Sequence, residues 1–426
     1  MIEVLTEEEF NEYAQSHACN TFFQSSYWGK LKQSTGWSYE LLGYKEDGVL
    51  KAATLLLSKK IPLIGKKMYY APRGFLIDYK DESLLKQFVC QLKNYLKGGI
   101  FYKINPYFSI RKRDQNGDEV GENNNEQVVE TLKKLGFIHN GYTITYGTDL
   151  EPRWVSVLDL KEKNEEQLLK EMQPNTRYSI RGSYKHGFQL VEINNERMDE
   201  FKNLMNHTSE RRGFLDRPLH YYQEMYRQFT KNDKIKVMLV ELDTVSYLQE
   251  LTLEVSNLQE KLDKLLDSTT SKAERMKKEL EFELEHRKKT IVEIEQLKES
   301  KGERIVIAGG LFMTFGTQVL SLFGCSYREY MKWNPQYFLN FEMIKYALNQ
   351  NYETFNFYGI TGEFEKSSPN YGLFDFKRGF HAEVVELIGE FTYILSPIHY
   401  NLYLRILWLY KKSKKIAIQL KKPFKK

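Results

Sequence analysis

Between Tyr247 and Lys301 the chain carries a pattern that admits few folds. Leu248, Leu251, Val255, Leu258, Leu262 and Leu265 recur in alternating steps of three and four residues, the a/d spacing of a coiled coil. Asp267-Ser-Thr-Thr-Ser then breaks the pattern with turn formers. A second amphipathic run follows. Its apolar positions are Met276, Leu280, Leu284, Ile291, Ile294 and Leu297, in a looser register that puts Arg287 on the seam, and Gly302 closes it. Two such helices joined by a short turn fold back on each other as a hairpin of about 30 to 40 Å. That is too long and too polar for a globular core, so a projecting arm is expected. The flanks, Lys234–Glu241 and Glu303–Phe312, are strand-like. They predict neighbouring strands of one sheet with the arm inserted between them.

The rest of the chain reads as mixed α/β (α+β), and 426 residues suit two or three domains. In the first 150 residues a helix over Thr6–Ser16 precedes one capped by Ser25 or Ser26. Strands are expected at Trp37–Tyr44, Leu50–Ser58 and Gly99–Ile104, and helices at Glu82–Leu96 and Gln127–Leu135. Arg111–Glu126 is polar and rich in Gly and Asn, the composition of a loop. A second set opens at Trp154-Val-Ser-Val-Leu-Asp-Leu. Helices follow over Asn164–Met172, Asn175–Lys185 and Met198–Arg212, with another after Arg217-Pro218. Beyond the arm come strands at Glu303–Phe315 and Gln318–Cys325, a helix Pro335–Asn349 and a strand Thr354–Tyr358. The shared order of elements suggests duplication of one α/β unit.

Composition excludes several classes. Cys19, Cys90 and Cys325 are scattered, with no CxxC or zinc spacing, which favours a reducing cytoplasm over a disulfide framework. The acidic start is not expected to be a signal peptide, and no apolar run is long enough to span a membrane. Net charge is +5, but the charge is uneven. No acidic residue follows Glu390, while Arg405, Lys411, Lys412, Lys414, Lys415, Lys421, Lys422, Lys425 and Lys426 do. These lie beside Leu402, Leu404, Ile406, Leu407, Trp408 and Leu409. The combination suits an anionic membrane surface; a docked helix with a solvated basic end is the plainer alternative.

Four segments together resemble the FemABX peptidyltransferases. They are Met68-Tyr-Tyr-Ala-Pro-Arg-Gly-Phe-Leu-Ile-Asp-Tyr, Val155-Ser-Val-Leu-Asp-Leu, Asn175-Thr-Arg-Tyr-Ser-Ile-Arg, and Asn356-Phe-Tyr-Gly-Ile-Thr-Gly with Phe374-Asp-Phe-Lys-Arg-Gly-Phe. The inserted hairpin is similar to that family's helical arm. The resemblance implies two GNAT-like acyltransferase domains. The first comprises residues 1–152 with about 391–410, the second 153–243 with 304–390; the arm is 244–303 and a basic tail 411–426. It also implies a reaction in which an aminoacyl group (Gly, Ala or Ser) passes from aminoacyl-tRNA to the stem-peptide amine of a peptidoglycan precursor, building the interpeptide bridge. The tRNA is a co-substrate; no cofactor or metal is called for. The acceptor is lipid II or UDP-MurNAc-pentapeptide, with lipid II favoured. The expected place is the cytoplasm of a Gram-positive bacterium, at the inner face of its plasma membrane. Association with itself or with related transferases stays open.

Aminolysis of an ester needs two large anionic ligands positioned and an oxyanion stabilised. No Ser/His/Asp or Cys/His motif is present to supply a nucleophile. Lys377 is the first candidate, in an aromatic segment expected to be a strand. It resembles the family's substrate-binding lysine and would hold an acceptor carboxylate or the oxyanion, and Phe376 resembles the neighbouring aromatic. Lys32 and Arg217 resemble a pair gripping the precursor's diphosphate, where a helix start and an Arg fork suit phosphate. Tyr221 resembles a substrate-contacting tyrosine. Phe323 and Asn105 stand where family members with a nucleotide precursor carry tyrosine and aspartate. Both changes remove polar groups, which favours a substrate-assisted proton transfer. Arg177, Arg181 and Lys185 fall on one helical stripe and would suit tRNA phosphates as well as a solvated face. The arm, with 11 basic and 13 acidic residues over Tyr247–Lys301, is poor footing for a phosphate clamp. Two rivals remain. An acyl-CoA-dependent GNAT enzyme would need Q/R-x-x-G-x-G/A, which Arg304-Ile-Val-Ile-Ala-Gly-Gly does not match. A non-enzymatic membrane-surface scaffold would need only the coiled coil and tail.

Overall fold

In a computed structural model of the chain, residues 1–146 and 149–420 are described. The strands are β1 (Ile2–Val4), β2 (Ser38–Glu46), β3 (Val49–Lys60), β4 (Lys67–Ala71), β5 (Phe101–Ile104), β6 (Ser109–Arg113), β7 (Glu119–Asn124) and β8 (Phe137–His139). After them come β9 (Trp154–Asp159), β10 (Phe188–Glu192), β11 (Ile235–Asp243), β12 (Arg304–Phe315), β13 (Gln318–Ser326), β14 (Thr354–Ile360), β15 (Glu383–Leu387) and β16 (Phe391–Ile394). They form two sheets, in the orders β1-β2-β3-β4-β5-β16-β8 and β10-β11-β12-β13-β14-β9-β15-β6-β7.

Both sheets are antiparallel except at one junction. β4 runs parallel to β5, and β13 parallel to β14. Parallel neighbours need a crossover, supplied by helix Glu82–Tyr95 in the first sheet and Pro335–Asn349 in the second. On the other side of each parallel pair lie three more strands in antiparallel succession. The shared element order read from the sequence is therefore a shared topology, and the fold is the expected mixed α/β one, built as two similar halves.

Local chemistry sets many boundaries. Thr6 and Ser25 accept from the backbone N–H groups of Glu9 and Trp28, capping their helices. Asn164 and Gln167 form a reciprocal capping box. Gly213, at φ 73°, ends the helix Met198–Arg212 in the left-handed conformation that glycine tolerates.

The arm consists of helices Thr244–Asp263 and Ser271–Lys301, packed against each other. Their seam differs from the expected one at one point. Met276 is exposed, while Ala273, Leu284 and Ile294 are buried, with Lys277, Leu280, Arg287 and Ile291 partly so. The second helix thus keeps regular steps of four and three. Two polar residues can sit on this seam because each has partners. Arg287 Nε meets Glu254 of the other helix at 2.9 Å. Lys277 Nζ donates to the Leu266 and Ser268 carbonyls of the turn at 2.9 and 3.1 Å. The base of the arm belongs to the body. Tyr247, Leu251 and Ile294 are members of one core cluster with sheet residues such as Ile307 and helix residues such as Leu339.

Two expectations fail here. Arg111–Glu126 is not a loop but the β6–β7 hairpin, and it joins the second sheet through β15. The domain boundary expected at residue 152 therefore does not follow the sheets. Glu386 of β15, 5% exposed, explains the pairing: it binds Arg113 at 2.6 Å and also Arg153. The second failure is Phe374–Phe380, which is helical (Tyr371–Gly379) rather than a strand.

A further core cluster joins the halves. Phe22, Phe23 and Trp28 of the first pack with Tyr222, Phe229 and Leu311 of the second. After β16 the chain leaves as the helix Pro397–Leu420. Tyr400 and Tyr403 rest on Phe101, with ring centroids 5.3 and 5.1 Å away. Lys421, Lys422, Lys425 and Lys426 of the basic tail lie outside the described residues.

Candidate functional site

β5 and β14, one from the parallel pair of each sheet, lead into the contact between the halves. Tyr107, just past β5, accepts a hydrogen bond from Asn356 of β14 at 3.0 Å. At the same end of β14 the backbone bulges between Asn356 and Tyr358. Tyr358 takes φ 64°, a conformation that costs a non-glycine residue about 1–3 kcal/mol. The Asn356 side chain holds it there, accepting from the Tyr358 N–H at 2.8 Å.

Lys377 meets this bulge. It lies in the last turn of helix Tyr371–Gly379 and is 6% exposed. Its Nζ donates to the carbonyls of Gly359 at 2.7 Å and Tyr358 at 3.1 Å. Burial pushes its pKa from 10.5 down to about 7. Nothing anionic is among its hydrogen-bond or ion-pair partners among the described residues. A buried ammonium without an anionic partner is pushed toward the neutral amine, and a negative charge arriving beside Lys377 would favour its charged form.

The Tyr358 hydroxyl donates to Glu151, a residue that sequence reasoning missed. Glu151 sits among cations. Its carboxyl is raised by burial, against the pull of Arg73, the Tyr358 hydroxyl, Lys32 and Arg217. Lys32 packs over the Trp28 ring at 4.4 Å and is lowered by burial, with Glu151 opposing and Arg217 reinforcing that shift. Arg217 lies 5.5 Å above the Tyr221 ring, just before Pro218 and the helix Leu219–Thr230. Among the described residues neither the Lys32 ammonium nor the Arg217 guanidinium makes an ion pair or hydrogen bond. Two neighbouring cations, one just before a helix start, have the chemistry that suits an anion.

The other candidates divide. Asn105 Oδ1 accepts from the Arg73 N–H at 2.8 Å and the Tyr70 hydroxyl at 3.2 Å, so it shapes the site wall. Phe323 is edge-on to Tyr222, 5.6 Å away, beside Tyr221. Phe376 turns from the junction and packs edge-on against Tyr337 at 4.9 Å. The expected basic stripe does not form as drawn. Arg177 is spent on the carbonyls of Leu169, Lys170 and Met172, which closes the preceding helix. Lys185 falls beyond helix Pro174–Ser183, in a 3₁₀ turn, and faces Glu254 of the arm at 3.5 Å. Arg181 stays exposed. That helix does adjoin the Lys377 helix, since the Gln173 N–H donates to the Gly379 carbonyl at 2.9 Å.

The model of the FemAB family matches residues 5–406. The aminoacyltransferase FemB of Staphylococcus epidermidis is 29% identical over 423 residues, 98% of this chain and 99% of that one. The aminoacyltransferase FemA of Staphylococcus aureus is 28% identical over 406 residues, 94% and 96% of the two chains. The crystal structure of FemX superposes with a TM-score of 0.78 at 26% identity, covering 94% of this chain and 99% of that chain.

Proposed function

Because this chain belongs to the FemAB family, we propose that it is an aminoacyltransferase that moves Gly, Ala or Ser from aminoacyl-tRNA to the stem-peptide amine of a peptidoglycan precursor. The product is an interpeptide bridge. Relatives that match it nearly end to end are aminoacyltransferases. The observation that carries the reading is the meeting at one junction of two cations without ion-pair or side-chain hydrogen-bond partners, Lys32 and Arg217, with the buried Lys377.

Each group has a task. Lys32 and Arg217 bind the acceptor's diphosphate, and Tyr221 lines its approach. Two of the three Lys377 N–H donors are held by the Tyr358 and Gly359 carbonyls. The third is free for the ester carbonyl oxygen as charge gathers on it, or for an acceptor carboxylate. Fixed donors in a dry site stabilise such charge without reorganising. The amine forms the new C–N bond and the ester C–O bond to ribose breaks. Arg181 and Lys185, near the Lys377 helix, are the remaining candidates for tRNA phosphates.

A lipid-linked acceptor fits the last helix. Ile398, Leu402, Arg405, Leu409 and Lys412 recur at steps of four and three and are exposed, with Trp408 beside them. Tyr400 and Tyr403 on the other side hold the helix to the body. An apolar stripe studded with basic residues suits an anionic bilayer surface. The test of the whole reading is transfer of labelled amino acid from charged tRNA to the precursor.

A further inference from the structure

Among the described residues, Glu151 makes one hydrogen bond, from the Tyr358 hydroxyl, and no ion pair. It remains partly exposed in the junction. The charged and titratable groups facing it are Lys32, Arg217, Arg73, Tyr70, Tyr221 and Tyr358. Arg73 is already committed. Its guanidinium donates to the Pro152 carbonyl at 2.8 Å and lies against the rings of Phe23 and Tyr107. Lys32 and Arg217 are the cations that an anionic ligand would neutralise. Once a diphosphate occupies them, Arg73 is the cation left beside Glu151, and it keeps the carboxylate ionised with one oxygen free. A primary ammonium on the same ligand is the group that completes the site.

We propose that Glu151, oriented by Tyr358, receives the proton that the acceptor ammonium must lose before it attacks. The inference rests on the transfer reaction proposed above. The ammonium gives one proton to the Glu151 carboxylate, and its freed lone pair forms the C–N bond at the ester carbonyl carbon. As the tetrahedral adduct collapses, the C–O bond to ribose breaks and the ribose oxygen takes the second nitrogen proton. Glu151 then returns its proton to solvent. Tyr358 couples this carboxylate to Lys377, because its hydroxyl serves one and its carbonyl the other. Asn105 cannot take the proton: its side-chain oxygen is bound by Tyr70 and Arg73.

The experiment is the pH dependence of kcat for full-length wild type, Glu151→Gln and Tyr358→Phe, with folding followed by thermal melting. The wild type should show an acid limb from Glu151 and, at higher pH, a fall as Lys377 loses the proton that gives it a free third donor. Glu151→Gln should lose about 100-fold or more at neutral pH, the usual scale for a general base. Its rate should climb with pH and approach wild type once the acceptor amine is itself unprotonated. Tyr358→Phe removes a hydrogen bond that favours the ionised carboxylate, so it should move the acid limb to higher pH, whatever the height of the profile. A Glu151→Gln profile parallel to wild type, at whatever height, would overturn the proposal. If Glu151→Gln does not fold, an unshifted limb in Tyr358→Phe overturns it instead. Absence of transfer by the wild type would strike the proposed function, a separate outcome.

Discussion

The ammonium of Lys377 donates to the main-chain carbonyl of Tyr358 at 3.1 Å, across the end of a bulged strand. The contact holds a left-handed residue and a buried cation in one place. Lys377→Met should therefore cut transfer by about 100- to 1000-fold, the scale of one lost oxyanion donor.

The same variant has a pH signature in stability. The folded pKa of Lys377 is about 7, below its ordinary 10.5, so between those values the unfolded chain binds the extra proton. Wild-type stability from this group is complete above 10.5 and is lost as pH falls toward 7. Melting curves should show wild type gaining on Lys377→Met as pH rises from 7 to 10. A constant gap would mean that the lysine is not shifted.

Lys32→Ala and Arg217→Ala should each raise the KM for the acceptor by about 10- to 150-fold, corresponding to about 1.5–3 kcal/mol per charged hydrogen bond, with a smaller change in kcat. Steady-state kinetics at two salt concentrations checks this, since phosphate contacts weaken with salt.

For the arm, Leu251→Ala or Ile294→Ala should destabilise the body by about 2–5 kcal/mol, because both side chains are 1% exposed or less within a shared core. Excising residues 258–284 behind a short linker should leave the melting temperature of the body nearly unchanged. Equal effects from the two changes would show that the distal arm also belongs to the core.

At the other end, deleting residues 413–426 should weaken binding to vesicles containing anionic lipid by more than about tenfold, since each basic residue near such a surface is worth about 1 kcal/mol. Trp408→Ser should weaken it less. Sedimentation with neutral and anionic vesicles separates the charge contribution from the apolar one.

Much of the fold was legible because its signals are local. The bounds of Met198–Arg212 and the caps at Thr6, Ser25 and Asn164 follow from turn chemistry within a few residues. What failed depends on distant partners. Phe374, Phe376 and Phe380 alternate as a strand would in part, but Phe376 is only half-buried, while Phe374, Lys377 and Phe380, three residues apart, are buried, the spacing of helical turns. The β6–β7 hairpin looked like a loop because its arginines are polar; their partner Glu386 lies over 270 residues away. Of the site, Lys32, Arg217, Tyr221 and Lys377 came from resemblance, and the structure brings them around one junction. Glu151 had no local signal. Only the meeting of the two halves gives its carboxylate a context.

The most direct test uses purified full-length protein with labelled glycyl-, alanyl- and seryl-tRNA, offered lipid-linked and nucleotide-linked precursors. The account predicts label in the stem peptide of at least one precursor, dependent on charged tRNA and lost in Lys377→Met. No labelled precursor from any donor, or equal labelling with the variant, would contradict it.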